Sequence, residues 1–259
     1  MKNSIFSWYG FVQPLKERLE SIRRAGFDGV SLWWEDETYP KIIKKEKMPQ
    51  MVRSEGLYFE NIHTPYQDVN DLWSEEKTVR NKTIARYMGY LDQCSQFKIP
   101  VMVMHVTDVD GPKELLSQGL DSFMQLREYG TKLGVRIAVE NTRDADLVDG
   151  LLTQLQSDHF GLCYDSSHDW LAGQTKGMLL ENWSHRLFTT HLSDNDMEKD
   201  RHWIPGDGEV DWDKLKILLK KTDLEYASME LVGSIKSMED PDEFLKKAYE
   251  QMRKLVTGQ

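Results

Sequence analysis

The chain has 259 residues, 39% of them hydrophobic, with 33 Lys and Arg against 43 Asp and Glu and a formal net charge of −10. That apolar content supplies a substantial core and excludes a disordered chain, and the acidic balance argues against nonspecific attraction to nucleic acid or anionic membrane. No run approaches the roughly eighteen apolar residues that span a bilayer, and the opening MKNSIFSWYGFVQP lacks the unbroken apolar segment of a secretion signal, so a cytoplasmic protein is expected.

Short β-rich runs alternate with longer amphipathic segments along the whole sequence. The first predicted strand, Ser4–Ser7, is followed by Trp8 and Tyr9. LKERLESIRRAG then carries a helical pattern and stops on glycine, a common C-terminal helix signal. The second strand, Gly29–Trp33, runs into LWWEDE, and the third, Leu57–Ile62, exits into His63 and Tyr66. A helical pattern holding Cys94 leads to the fourth, Val101–His105, which ends on His105. DSFMQLREYGTKLG, again closed by glycine, precedes the fifth, Arg136–Glu140, which ends on Glu140. The sixth, Phe160–Tyr164, contains Cys163, with Asp165 at its tip and His168 one turn later. The seventh, Leu187–His191, continues into HLSDNDMEKDRHWIPGDGEVDW, which adds Asp200, His202 and Trp203. The eighth, Tyr226–Glu230, ends on Glu230. Two cysteines in such patterns read as buried free thiols, not as a disulfide framework. The basic runs KIIKKEK (41–47) and KLKILLKK (214–221) read as solvated helix faces.

Near-continuous apolar runs such as VMVM and RIAV suit strands covered on both faces, as in a parallel sheet. Eight strands alternating with helices predict an α/β fold, a (β/α)8 TIM barrel, as one domain over residues 1–259. A doubly wound open sheet is the alternative. No G-x-G-x-x-G follows an early strand, which removes the commonest reason to prefer one.

In a barrel, the C-terminal strand ends build the site. A lone histidine there is usually a hydrogen-bonded rim residue, and a lone carboxylate usually caps the next helix. Six consecutive strands that all end in one or the other weaken that reading, and five of the seven histidines belong to the set. His159 and His185 precede strands and fall on the opposite face. Imidazole and carboxylate without thiolate suit a catalytic divalent ion such as Mn, Zn, Co or Fe(II). Trp8, Tyr9, Trp33, Tyr66 and Trp203 are placed around the mouth, where rings pack against a sugar or simply against the barrel rim.

On these residues the chain resembles the xylose-isomerase-like TIM barrel superfamily over essentially its whole length. That group holds sugar and sugar-phosphate isomerases and epimerases, inosose dehydratases and the endonuclease IV group of abasic-site nucleases. The resemblance implies one metal on Glu140, Asp165, His191 and Glu230. PGDGEVDW (205–212) is similar to the P-G-x-G-x-I/V-x-W signature of the isomerases and epimerases. The nuclease pattern adds His63, His105, His168, Asp200 and His202 for a trinuclear zinc site, and DRH at 200–202 is shared with it.

Two chemistries are therefore expected of one site. In the first, the metal polarises a carbonyl and adjacent hydroxyl of a small sugar or sugar phosphate, and Glu140 and Glu230 remove and return a proton through an enediolate. His168 and Arg201 are implied contacts to substrate oxygens. In the second, the metals activate water against the phosphodiester beside an abasic site, and the partner is nucleic acid. A dehydratase using the single metal is a third. The acidic surface, PGDGEVDW and the aromatic mouth favour carbohydrate. PGDG and GSIK (233–236) are the only glycine-rich turns that suggest a phosphate cradle.

Overall fold

The structure, a computed structural model, describes residues 1–142, 144–172, 176–233 and 240–257. Eight strands follow one another along the chain: β1 (Lys2–Phe6), β2 (Gly29–Trp33), β3 (Tyr58–His63), β4 (Val101–His105), β5 (Arg136–Glu140), β6 (Phe160–Asp165), β7 (Leu187–His191) and β8 (Tyr226–Met229). Helices α1 (Leu15–Ala25), α2 (Met48–Ser54), α3 (Lys77–Phe97), α4 (Ser117–Leu133) and α5 (Ala145–Gln154) each follow one of the first five strands. α6 (Ser166–Ala172) and α7 (Met178–Trp183) follow β6, α8 (Trp212–Leu219) follows β7, and α9 (Pro241–Thr257) follows β8.

The sheet order is β7-β6-β5-β4-β3-β2-β1-β8, and the paired strands run parallel. The remaining seam lies between β7 and β8. Just past β7, Leu192 bridges Met229 and donates its N–H to the Ser228 carbonyl at 2.9 Å. Further in, the Thr190 hydroxyl stands in for a backbone partner. It accepts the Ser228 N–H at 2.9 Å and donates to the Ser228 carbonyl at 3.0 Å. The ring is a nearly closed (β/α)8 barrel, not an open sheet.

Side chains alternate across each strand. Ile5, Val30, Leu32, Ile62, Met102, Ile137 and Leu162 face outward and pack with the helices into the main core. The inward residues of β4, β5 and β6 form a small separate cluster of Val101, Val103, Ala138 and Cys163. Around the rest of the barrel the inward layer is polar and buried: Ser4, Ser31, Glu60, Asn61, Thr189 and Ser228.

α1 and α4 stop at the two glycines that end their sequence patterns, Gly26 at φ 109° and Gly134 at φ 68°. α3 stops at Lys98 in the same left-handed conformation, φ 54°, without a glycine to announce it. Residues 214–219 of KLKILLKK lie on α8 as expected, with Lys220 and Lys221 just past its end, but KIIKKEK is not a helix face. Ile43 pairs with Glu37 in an isolated antiparallel bridge, and Lys45–Lys47 form a 3-10 turn. Ile43 is buried there while Lys41 and Lys44 face solvent. Cys94 and Cys163 are both buried free thiols.

Candidate metal centre

The C-terminal ends of β3 to β8 bring the expected ligands to one point. Glu140, 1% exposed, sits in the middle. Its Oε2 lies 3.0 Å from His63 Nε2, 3.3 Å from His191 Nδ1 and 3.6 Å from His105 Nε2. Its Oε1 lies 3.4 Å from His168 Nδ1. Glu230, just past β8, places Oε2 2.9 Å from His191 Nδ1. The ligand atoms of Glu140, Asp165, His191 and Glu230 all lie within 4.8 Å of one another, and so do those of His63, Glu140 and His191.

Two features show that this donor set fits a metal ion. Neither ring nitrogen of His191 makes an aligned hydrogen bond despite complete burial, and Asp165 Oδ2 has no partner either. Buried polar atoms are rarely left so, and His191 Nδ1 is aimed at the same point as the carboxylates of Glu140, Asp165 and Glu230. Mixed imidazole and carboxylate donors of this kind suit Mn, Zn, Co or Fe(II).

The electrostatics follow from crowding in a buried place. Burial works to raise Glu140, but His191, His105 and His168 hold it well below the usual carboxylate range. Glu230 behaves likewise: against burial, His191 and His202 hold it down at about 2. For Asp165 burial prevails and pushes the carboxyl up to about 7. Burial also pushes His105 down to about 4.

His168, Asp200 and His202 form an adjoining group. Asp200 Oδ2 lies 2.9 Å from His202 Nε2 and 3.2 Å from His168 Nε2. Burial opposes charge here too, yet the two histidines hold the Asp200 carboxyl low, and Asp200 raises His202 to about 9. Among the described residues these three do not bring their ligand atoms within the spread of the two groups above.

The orienting contacts come from residues that strand-end reasoning passes over. Asn141 exchanges two 2.8 Å hydrogen bonds with the Asp165 backbone, and the Ser167 hydroxyl donates to Asp200 Oδ1 at 2.6 Å. His63 Nδ1 lies 3.0 Å from the Thr64 carbonyl and His202 Nδ1 3.1 Å from that of Glu230. Such carbonyl contacts fix the tautomer in which the other nitrogen can ligate.

Asp194 explains the PGDG stretch. Its carboxylate accepts the backbone N–H of Asn195, Gly206, Gly208 and Val210 and the Trp212 indole N–H, all at 2.8–3.0 Å. Gly206 sits at φ 93°, and a Cβ on Gly208 would come within 2.2 Å of the Asn195 carbonyl. The loop is thus wound around one buried acid, which leaves Asp200 and His202 to face the centre. Residues 234–236 of GSIK lie outside the described residues.

A cleft of about 870 Å³ opens beside the centre, lined by Tyr66, His105 and His168 on the metal side and by loop residues beyond. Tyr66 stacks on His105 at 4.2 Å and Trp33 on His63 at 5.2 Å. Of the expected contacts, Tyr66 and His168 line the cleft, whereas Trp33, Arg201 and Trp203 do not. Arg201 instead pairs with Asp196 at 2.6 Å and lies over the Trp203 ring. Tyr9 is fully buried, stacked against Phe244, and Trp8 is partly exposed beneath Arg18.

With this geometry in hand, comparison with known proteins is decisive for the family. The profile of the family described as "Xylose isomerase-like TIM barrel" matches residues 19–256. The chain belongs to that family. A curated relative, the uncharacterized protein y4fM of Sinorhizobium fredii (strain NBRC 101917 / NGR234), is 26% identical over 242 residues, covering 80% of this chain and 77% of that protein. Among solved structures, a xylose isomerase-like TIM barrel/4-hydroxyphenylpyruvate dioxygenase fusion protein matches with a TM-score of 0.80 at 21% identity. The match covers 98% of this chain but only 42% of the fusion protein. The IOLI protein, solved with a bound zinc atom, matches with a TM-score of 0.79 at 16% identity, over 100% of this chain and 99% of that one. Other structural neighbours are sugar epimerases and a sugar phosphate isomerase/epimerase. At these identities the structures speak for the shared barrel alone.

Proposed function

We propose that this protein is a divalent-metal-dependent isomerase or epimerase of a small, unphosphorylated carbohydrate. The observation that carries the reading is the convergence of Glu140, Asp165, His191 and Glu230 on one point at the open end of the barrel. The ion would be held by those four side chains and would polarise a substrate carbonyl and its neighbouring hydroxyl.

The chain's own groups supply the proton chemistry. Glu140 and Glu230 project from β5 and from the end of β8, with His191 of β7 between them. They flank a bound sugar from two sides, one to take a proton from the carbon beside the carbonyl and the other to return one. Ligation requires neutral imidazole, so His191 gives up its proton when the site is loaded. Both glutamates are then held low by the ion's own charge, so the one that takes the proton has to be only weakly ligated at that moment. Tyr66 and His105 form a stacked wall on which a sugar face can rest, and His168, held between Asn141 and Asp200, lines the same cleft.

The cleft bears on the substrate class. Its described lining carries Asp108, Asp110, Asp144, Glu198 and Asp200 against Lys113 and Lys199. A surplus of carboxylates repels a phosphate and favours a neutral polyol. The relatives support a carbohydrate reading in kind, since several neighbours are by name sugar epimerases.

A second reading, an abasic-site nuclease, is favoured by one observation: His63, His105, His168, Asp200 and His202 all stand next to the four-ligand group. The same acidic cleft weighs against it, because a DNA backbone would have to cross it. The reading is tested by incubating metal-loaded protein with ketoses in heavy water and following deuterium at the carbon beside the carbonyl. Exchange that requires the metal supports it. Incision of an abasic duplex without exchange on any ketose contradicts it.

A further inference from the structure

The cleft beside the metal centre is larger than a single sugar requires. Its volume is about 870 Å³. That lies near the top of the roughly 300–1,000 Å³ range of pockets that enclose a drug-sized ligand, whereas one hexose has only about a dozen non-hydrogen atoms. Tyr66, His105 and His168 account for the end at the metal centre. Loops carry the cleft further, with Asp108, Val109 and Asp110 after β4, Leu171 on α6, and Met197 and Glu198 after β7. Leu171 lies three residues from His168, on the same face of α6.

This outer part has built walls. On the β4 side, Asn70 Oδ1 accepts the Asp108 N–H at 2.9 Å and Asn70 Nδ2 donates to the Val109 carbonyl at 3.0 Å. A Cβ on Gly111 would meet Asn70 Oδ1 at 2.6 Å, so the loop is packed tightly onto its anchor. On the β7 side, the Met197 N–H donates to Oδ1 of the buried Asn195 at 2.8 Å, and Asn195 Nδ2 donates to the Ser167 carbonyl at 3.0 Å. Asp110 at φ 64° and Met197 at φ 61° both adopt the left-handed conformation that residues other than glycine rarely take. Such conformations persist where the surroundings enforce them, often at ligand clamps. The two walls hold Val109 and Met197 in the cleft lining with 60% and 39% of their surface exposed.

The lining chemistry is that of a sugar site. Carboxylates of Asp108, Asp110 and Glu198 accept hydrogen bonds from hydroxyls and repel anions, while Val109, Leu171 and Met197 offer apolar surface to the C–H face of a ring. Among the described residues, Tyr66 is the only Phe, Tyr or Trp in the lining, and it stands at the metal end. A flat aromatic substituent would find nothing to stack on in the outer part. We infer that the substrate is a disaccharide, a ketose unit at the metal centre joined to a second sugar unit in the outer cleft. Such a substrate presupposes the carbohydrate reading above and narrows its class.

The test gives metal-loaded protein fructose and its 4-O-, 5-O- and 6-O-glucosyl derivatives, which leave the carbonyl and both neighbouring carbons free. Contacts to remote parts of a substrate help it reach the transition state. Deuterium exchange with at least one derivative should therefore exceed that with fructose by about 10-fold or more in kcat/KM. Val109→Asp and Met197→Asp should bring that ratio toward one. Calorimetric titration of the wild type is a readout independent of turnover and of those variants, and a glucosylfructose should bind about 10-fold more tightly than fructose. Exchange with fructose that matches or exceeds all three derivatives overturns the proposal and leaves the carbohydrate reading standing. Exchange with none of the four sugars counts against that reading, and binding then decides the proposal. Tighter binding of a derivative upholds it, and equal or absent binding overturns it.

Discussion

Glu140 is the residue on which the candidate site turns, because four histidines from four different elements crowd its carboxylate. Glu140→Gln keeps the shape and removes the base and one ligand. It should lower metal-dependent proton exchange at least about 10³-fold, measured by deuterium incorporation, and weaken divalent-ion binding in calorimetric titration. Asp200→Asn separates the two readings. The carbohydrate reading expects exchange to survive within about 10-fold, whereas a trinuclear nuclease would lose its activity. His105 carries a pH prediction for the metal-free protein. Its pKa is pushed from the ordinary 6.5 to about 4 by burial, so between those values the unfolded chain binds more protons at this position. The contribution of His105 to stability is therefore complete above pH 6.5 and lost as pH falls toward 4, at up to about 1.4 kcal/mol per unit. His168, His191 and His202 are shifted upward and act in the opposite sense. The check is thus a difference: His105→Gln should show a smaller loss of stability than the wild type in urea melts between pH 6 and 4.5.

At the scale of elements, the loop between β7 and α8 shows how ligand placement depends on a residue that ligates nothing. Asp194 gathers five N–H groups, and removing its carboxylate leaves buried donors unmet. Asp194→Ala should cost about 3 kcal/mol or more in denaturant unfolding and also weaken metal binding, since the loop it anchors begins directly after the ligand His191. Normal stability and affinity would show that the loop is held by other means. This anchor was not legible in the sequence, because four of its five donors lie 12 to 18 residues downstream and the acid looks like one of many in a polar run. The strands were legible for the opposite reason. VMVM and RIAV are buried on both faces, so their composition alone betrays them, and the predicted bounds shift by no more than two residues. β1 begins earlier than predicted because Lys2 and Asn3 look polar, yet they pair with Tyr226 and Ala227 of β8. KIIKKEK misled because a charged run with isoleucines resembles an amphipathic helix, whereas Ile43 is buried through a local bridge.

For the molecule as a whole, closing eight strands into a ring converts six strand ends, far apart in sequence, into one centre. The ligand positions could be read from strand ends because barrel geometry sends them all to the same face. The polar interior layer could not. Ser4, Ser31, Glu60, Asn61, Thr189 and Ser228 are spread over five strands, and each reads alone as an ordinary strand residue. Metal is expected to stabilise the fold as well as serve chemistry, since it binds the assembled ring and not the open chain. Stripping the divalent ion with a chelator should lower Tm by roughly 10 °C if the ion is present at a few hundred times its Kd, and an unchanged Tm would argue against a bound ion. The most direct test of the account is deuterium exchange from heavy water into an unphosphorylated ketose by metal-loaded wild-type protein. The account predicts label at the carbon adjacent to the carbonyl, lost in Glu140→Gln and in Glu230→Gln. Absence of label across a ketose panel, with metal shown to be bound, would contradict it.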